Sequence, residues 1–100
     1  MTRAVLFLCT GNSCRSQMAE GLVNHELGEQ WTAYSAGTVP SIVNPRAIVA
    51  MAEIGIDISA HTSTHVDVFQ DVPLDLVVTV CGNAELNCPL WLGSGHRVHI

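Results

Sequence analysis

The sequence is poor in charge, and in positive charge above all. Charged residues make up 13% of the chain, with four Lys and Arg residues against nine Asp and Glu residues and a net charge of −5. This balance argues against binding to nucleic acid or to an anionic membrane surface, because both attract basic proteins. With so few cations available, the placement of Arg15 directly after a cysteine needs an explanation.

The sequence also lacks long apolar runs. No run approaches the ~20 residues that a membrane-spanning helix needs. The first apolar run, residues 4–9, is followed by Gly11 and Asn12, too soon for a secretory signal. We therefore expect a cytoplasmic chain without membrane association. In that compartment the four cysteines are better explained as reactive thiols than as structural disulfides.

Apolar residues, by contrast, make up 48% of the 100 residues, which predicts one domain over 1–100 with a single core. The patterns predict strands at 4–9, 31–35, 76–80 and 97–100. They predict a helix over 15–27, a second from Pro45 to Gly55 with Asn44 as N-cap, and a short third helix capped by Thr62 or Ser63. The apolar face of the first helix is predicted to comprise Met18, Leu22, Val23 and Leu27, and that of the second Ile48, Met51, Ala52 and Ile54.

Alternation of strands and helices predicts an α/β fold, with an open, mostly parallel four-stranded sheet and helices on both faces. Ligands of such sheets bind beyond the carboxyl ends of the strands. Cys9 and Cys81 each lie at the end of a predicted buried strand. If those strands are neighbours, both thiols lie at the same edge of the sheet.

The loop between the first strand and the first helix carries the residues that indicate chemistry. A short loop that enters a helix turns successive N–H groups inward, so that they form an anion-binding nest at the positive end of the helix dipole. Gly11 and Asn12 tolerate the left-handed backbone that a nest requires. The predicted oxyanion site comprises Thr10, Gly11, Asn12, Ser13, Cys14, Arg15 and Ser16.

Cys9 and Arg15 are the predicted reacting groups of this loop. Arg15 can bind two oxygens of a tetrahedral oxyanion at once. The positive charge of Arg15 and of the helix N-terminus also favours the thiolate of Cys9, a nucleophile that faces the bound anion. Ser16 can donate a hydrogen bond to the sulfur of Cys9. The alternative is a buried cysteine before an ordinary capped turn, but the preceding strand and following helix favour the functional interpretation. Cys14 is interpreted as a small residue whose N–H faces the anion.

Two further cysteines, Cys81 and Cys88, are seven positions apart. In a straight helix they would be ~10.5 Å apart along the axis, whereas a disulfide needs Cα atoms within about 7 Å. They can pair only if the segment bends or unwinds. The residues alone leave open whether they react or are two small buried hydrophobes. A zinc site with His96 and His99 is disfavoured by the spacing of the cysteines.

The motif from Cys9 to Ser16, with the following Gln17 to Gly21, closely resembles the thioredoxin-coupled arsenate reductases, which share the low-molecular-weight protein tyrosine phosphatase fold. The loop alone is common to reductases and phosphatases, and the second cysteine pair favours the reductases. The resemblance covers nearly the whole chain and includes Ser35 to Thr38, Asn44 to Ala47, Gly55 to Asp57 and Cys81 to Pro89.

The resemblance implies reduction of arsenate to arsenite by three thiols, with phosphate and sulfate as competing oxyanions. The Cys9 thiolate attacks arsenic and water leaves. Cys81 then attacks Cys9 and releases arsenite, and Cys88 attacks Cys81 to leave a Cys81–Cys88 disulfide that thioredoxin reduces. Loop support is implied for Asn12, Ser16 and Ser35.

The resemblance implies no tightly bound cofactor other than a potassium ion near Asn12, Glu20 and Thr62. Thr64 stands where the family has an aspartate in that ion site. The family's general acid, an aspartate before a proline, and its last helix follow the final strand. The sequence ends at Ile100, so we expect a domain without this acid loop and helix.

Two alternatives to the reductase stay open at this point. The first is a phosphotyrosine or phosphomonoester phosphatase that uses Cys9 and Arg15 alone. The second is a non-catalytic oxyanion-binding or thiol-sensing module.

Overall fold

Four parallel strands form one sheet in the part of the chain that the computed structural model describes, residues 2–80 and 96–99. The strand order is β2-β1-β3-β4. The elements in chain order are β1 (Arg3–Cys9), α1 (Arg15–Glu26), β2 (Trp31–Gly37), α2 (Pro45–Glu53), a 3-10 helix (Val66–Phe69), β3 (Leu76–Thr79) and β4 (His96–His99). The predicted strands and helices are therefore present.

The central strand β1 is apolar on both faces because both faces are covered. Leu6 and Leu8 pack on one face with Val66 of the 3-10 helix, while Val5 and Phe7 pack on the other with residues of α1. This confirms the prediction of an open parallel sheet with helices on both faces. The register pairs Cys9 with Gly37 of β2 and Leu8 with Thr79 of β3, which brings these strand ends to one edge of the sheet.

Helix α2 packs on α1 rather than on the sheet. Its buried residues, Ala47 and Met51, form a cluster with Ile56 and Ile58 of the following segment. This cluster packs tightly against α1 at Gly21, where an added Cβ would lie 2.7 Å from Cγ2 of Ile58. Asn44 caps α2 as predicted, since its side chain accepts a hydrogen bond of 2.8 Å from the N–H of Arg46.

The predicted helix faces are wrong in part. Leu22 of α1 and Leu27, which follows the helix, are 40% and 47% exposed, and the buried residues of the helix are Ser16, Gln17 and Gly21. The reason is that α1 starts at the functional loop, so its first turn buries polar side chains that bond to that loop. On α2, Ala52 and Ile54 are exposed.

The cap of the 3-10 helix also differs from the prediction. His65 is the N-cap, and its Nδ1 accepts a hydrogen bond from the N–H of Asp67. Thr62 and Ser63 do not cap this helix, because both bond to residues of the loop and of α1 instead. The predicted loop from Cys81 to Gly95, with Cys81 and Cys88, lies outside the described residues. In residues 2–80 and 96–99, no helix is long and apolar enough to cross a membrane.

Candidate active site

The loop between β1 and α1 surrounds a cleft of about 230 Å³ at the carboxyl end of the sheet. Strand β1 supplies Cys9 at its last position and α1 begins at Arg15, so both predicted reacting groups are fixed by regular elements. The lining residues are Cys9, Thr10, Gly11, Ser13, Cys14, Arg15 and Val80. The structure thus brings together the predicted nucleophile, the predicted arginine and most of the predicted oxyanion site.

The sulfur of Cys9 has two polar neighbours from its own loop. The backbone N–H of Asn12 donates to it over 3.1 Å, and the hydroxyl oxygen of Ser16 lies 3.1 Å away. Asn12 has a φ of 47°, the left-handed conformation predicted for this part of the loop. The left-handed turn at Asn12 thus places a backbone donor against the predicted nucleophile.

Outward-facing carbonyl groups of the loop are satisfied by neighbouring segments. The carbonyls of Thr10, Gly11 and Ser13 accept hydrogen bonds of 2.9, 3.1 and 2.8 Å from backbone N–H groups of the segment 39–44. The end of β2 at Gly37 also lies directly against the loop. An added Cβ at Gly37 would collide with the carbonyl oxygen of Thr10 and lie 2.9 Å from the nitrogen of Asn12. The segment after β2 therefore holds the loop from outside.

The side chain of Asn12 is fully buried beneath the loop and has partners at both ends. Its amide nitrogen donates to the hydroxyl oxygen of Ser16 over 2.9 Å, and its amide oxygen accepts from the N–H of Thr64 over 2.8 Å. Ser35, the third predicted support, is also buried, and its hydroxyl donates to Glu20 of α1 over 2.5 Å.

The oxygens of the predicted potassium ligands take part in hydrogen bonds. The amide oxygen of Asn12 already accepts from Thr64, and the carbonyl of Thr62 accepts from the side-chain nitrogen of Gln17 over 3.0 Å. Glu20 accepts from Ser35 and lies 3.6 Å from Nδ1 of His61. Each of these oxygens keeps a lone pair after accepting one hydrogen bond, so the potassium site implied by the resemblance stays a prediction. Among the described residues, no group of His, Cys, Asp and Glu side chains could hold a metal ion.

Sequence reasoning missed three residues that build the site: Gln17, Ser63 and Gly37. The sequence pattern places Gln17 only within a helical motif. An uncharged polar side chain in the first helical turn after an anion loop is nevertheless a signal that predicts a hydrogen bond to that loop. Ser63 is distant in sequence and follows no pattern that places it near residue 12. Gly37 ends a strand, which predicts a turn as readily as a close approach of two backbones.

Comparison with known proteins agrees with this geometry. Residues 4–100 match the model of the family described as low molecular weight phosphotyrosine protein phosphatase. The chain belongs to that family. Its curated relatives include arsenate reductase 1 of Staphylococcus saprophyticus subsp. saprophyticus, 56% identical over 97 residues that make up 97% of this chain and 74% of the relative.

Solved structures of arsenate reductases share the fold of this family member. One, in a phosphate-binding state, has 40% sequence identity and a TM-score of 0.79 over 84% of this chain and 64% of that one. The thioredoxin-dependent arsenate reductase of Corynebacterium glutamicum has 31% identity and a TM-score of 0.78, over 99% of this chain and 49% of that one. This chain thus spans about half to three quarters of the length of these three proteins.

Proposed function

We propose that the protein reduces arsenate to arsenite with thiols, and that Cys9 is the attacking nucleophile. The observation that carries the proposal is the placement of the Cys9 sulfur, at the wall of the cleft with the N–H of Asn12 and the hydroxyl of Ser16 against it. The named relatives, which are arsenate reductases, support this choice of oxyanion over others.

The first step uses the loop and Arg15. Inward N–H groups and the guanidinium of Arg15 neutralise the charge of the tetrahedral anion. The Cys9 thiolate then forms a sulfur–arsenic bond, and an arsenic–oxygen bond breaks as one hydroxyl group of the arsenate takes up a proton from solvent and leaves as water. Arsenic stays in the +5 state in this step.

The second and third steps use Cys81 and Cys88, which lie outside the described residues. The Cys81 thiolate attacks the sulfur of Cys9, and the electron pair of the sulfur–arsenic bond goes to arsenic, which leaves as arsenite in the +3 state. Two thiolates have then become one Cys9–Cys81 disulfide. Attack by Cys88 on Cys81 releases Cys9 and moves the disulfide to Cys81–Cys88.

A dithiol reductant must return Cys81 and Cys88 to thiols, and we assign this role to thioredoxin. The support is the thioredoxin-dependent reductase of Corynebacterium glutamicum, which shares the fold over 99% of this chain. A thiol cycle of this kind belongs in a reducing compartment, consistent with a cytoplasmic protein. Phosphate and sulfate, being tetrahedral oxyanions of similar size, would compete for the same cleft.

The alternative reaction, hydrolysis of a phosphomonoester, needs only Cys9 and Arg15. The two reactions are separated by supplying both substrates to the same preparation. Arsenate-dependent oxidation of NADPH, coupled through thioredoxin and thioredoxin reductase, is compared with release of 4-nitrophenol from 4-nitrophenyl phosphate. We expect the first to exceed the second, and Cys9→Ser to abolish both. Hydrolysis of the aryl phosphate without arsenate-dependent NADPH oxidation would overturn the proposal.

A further inference from the structure

The carbonyl groups of the anion loop are held outward in two different ways. Backbone N–H groups of the segment 39–44 bind those of Thr10, Gly11 and Ser13. The carbonyl of Asn12 instead accepts from two side chains, the amide nitrogen of Gln17 over 3.1 Å and the hydroxyl of Ser63 over 2.7 Å. Along residues 10–13, it is therefore the carbonyl of Asn12 that depends most on side-chain identity.

The direction of that carbonyl sets the direction of an N–H group in the cleft. In a trans peptide the C=O of Asn12 and the N–H of Ser13 point in opposite directions, and the described residues contain no cis peptide. Donors that hold the carbonyl of Asn12 outward therefore hold the N–H of Ser13 toward the opposite side, where Ser13 lines the cleft. If the carbonyl turned inward, it would present negative charge to the Cys9 thiolate and to a bound anion.

Gln17 is placed to resist such a turn. Its side chain is fully buried. Its amide nitrogen also donates to the carbonyl of Thr62 over 3.0 Å, and its amide oxygen lies 3.0 Å from Nδ1 of His61. A buried amide with three partners has one orientation, because any other leaves a polar group unsatisfied. Gln17 thus ties the anion loop to the segment 61–64, from which Ser63 supplies the second donor.

We propose that Gln17 and Ser63 are positioning residues, which hold the Asn12–Ser13 peptide in the orientation that binds the tetrahedral oxyanion. Neither touches the anion, and both act through the carbonyl of Asn12. The inference rests on the proposed function only for the identity of the anion, since the same orientation serves any tetrahedral oxyanion.

The test measures phosphate affinity and arsenate kinetics in Gln17→Met, Ser63→Ala and the double variant. Methionine keeps the length of the side chain and removes the donor. Phosphate affinity is read from its protection of Cys9 against alkylation by iodoacetamide, with the Cys9 peptide followed by mass spectrometry. Each single variant is expected to weaken phosphate binding by about threefold to tenfold and to raise the KM for arsenate by a similar factor.

The double variant distinguishes positioning from general stability. Both side chains donate to the same carbonyl oxygen, so either one alone still holds it in part. The loss of phosphate affinity in the double variant is therefore expected to exceed the product of the losses in the two single variants. Ser63→Thr keeps the hydroxyl, so its phosphate affinity should be within about twofold of that of the wild type. This conservative variant and the single variants keep the proposal testable should the double variant fail to fold.

Asn24→Ala is the matched control. Asn24 lies on α1, and its amide makes two hydrogen bonds to the backbone of Ala33, of 3.1 and 2.8 Å, away from the loop. Its loss should lower the melting temperature and leave phosphate affinity unchanged. Variants of Gln17 and Ser63 that lower the melting temperature as Asn24→Ala does, with phosphate affinity and KM unaltered, would overturn the inference. That result would leave arsenate reduction by the wild type, and so the proposed function, untouched.

Discussion

The hydroxyl of Ser16 lies 3.1 Å from the sulfur of Cys9 and at the same time accepts a hydrogen bond from the amide nitrogen of Asn12. Towards a thiolate, which carries no proton, the hydroxyl of Ser16 can only donate. Asn12 and Ser16 are fully buried, whereas the sulfur of Cys9 lines the cleft. One hydroxyl therefore joins the nucleophile to the left-handed residue of its loop.

Replacing Ser16 with alanine should slow the attack of Cys9. A hydrogen bond to a charged group contributes about 1.5–3 kcal/mol, so alkylation of Cys9 by iodoacetamide at neutral pH, and kcat for arsenate, are expected to fall by roughly tenfold to a hundredfold. Thr32→Ala removes an exposed hydroxyl with a long 3.5 Å contact to Thr2 and should change neither rate. Equal rates in Ser16→Ala and the wild type would contradict the role of this bond.

Replacing Cys88 with serine should stop the reaction after about one turnover. The Cys9–Cys81 disulfide would form and release arsenite, but no third thiol would free Cys9. Quenched-flow measurement of arsenite should show a burst of roughly one equivalent per chain, and mass spectrometry of the product should show the Cys9–Cys81 pair. Sustained turnover with thioredoxin would exclude the relay.

Replacing Gly37 with alanine should displace the anion loop. The new methyl group would collide with the carbonyl of Thr10 and approach the N–H that reaches Cys9. Overpacking of this kind costs about 1–3 kcal/mol of folding free energy, and phosphate affinity should fall as well. Gly21→Ala is the matched control, since its methyl group would lie 2.7 Å from Ile58, away from the loop. That variant should lose stability and keep its phosphate affinity.

The potassium site implied by the family resemblance predicts a specific effect of KCl. The oxygens of Asn12 and Thr62 accept hydrogen bonds from Thr64 and Gln17, and each keeps a lone pair that a cation can use. Melting temperature and kcat for arsenate are therefore expected to be higher in KCl than in NaCl or choline chloride at equal ionic strength. Equal values in the three salts would exclude the site.

Asp57 should add stability above mildly acidic pH. Hydrogen bonds from the side chain and backbone of Ser59 hold the pKa of Asp57 below its ordinary value. A carboxyl whose pKa is lower in the folded state stabilises the protein above its unfolded pKa, and this contribution is lost as pH falls through the folded pKa. Asp57→Asn should therefore melt below the wild type at neutral pH, with the difference shrinking as the solution becomes strongly acidic. A difference that stays constant with pH would argue against this ionic contribution.

The sheet and the loop were predictable because their patterns are local. A run of apolar residues ending at Cys9, a short loop with Gly11 and Asn12, and a helix from Arg15 suffice to place a thiol beneath an anion nest. The rules of α/β sheets predict parallel strands, while the structure shows that β1 and β3 are neighbours, which the sequence left open. The cysteine relay stays a prediction, since Cys81 and Cys88 lie outside the described residues.

Long-range polar bonds were not predictable from periodicity. A helical pattern assigns Leu22 and Leu27 to the buried face of α1, yet Gln17 and Gly21 lie inside. The first turn of α1 faces the loop, so a polar side chain there gains bonds that the sequence pattern cannot show. Similarly, Ser63 suits a helix cap by residue type, but its hydroxyl binds a carbonyl 51 positions earlier.

The attachment of the loop to the segment 39–44 has a consequence for how such a protein can diversify. Backbone N–H groups of this segment, rather than its apolar side chains, bind the carbonyls of Thr10, Gly11 and Ser13. The side chains of Val39 and Ile42 are 66% and 71% exposed, so they can be exchanged without altering those bonds. The surface of this segment can thus acquire a new shape and polarity while the loop that it holds keeps its affinity for a tetrahedral anion.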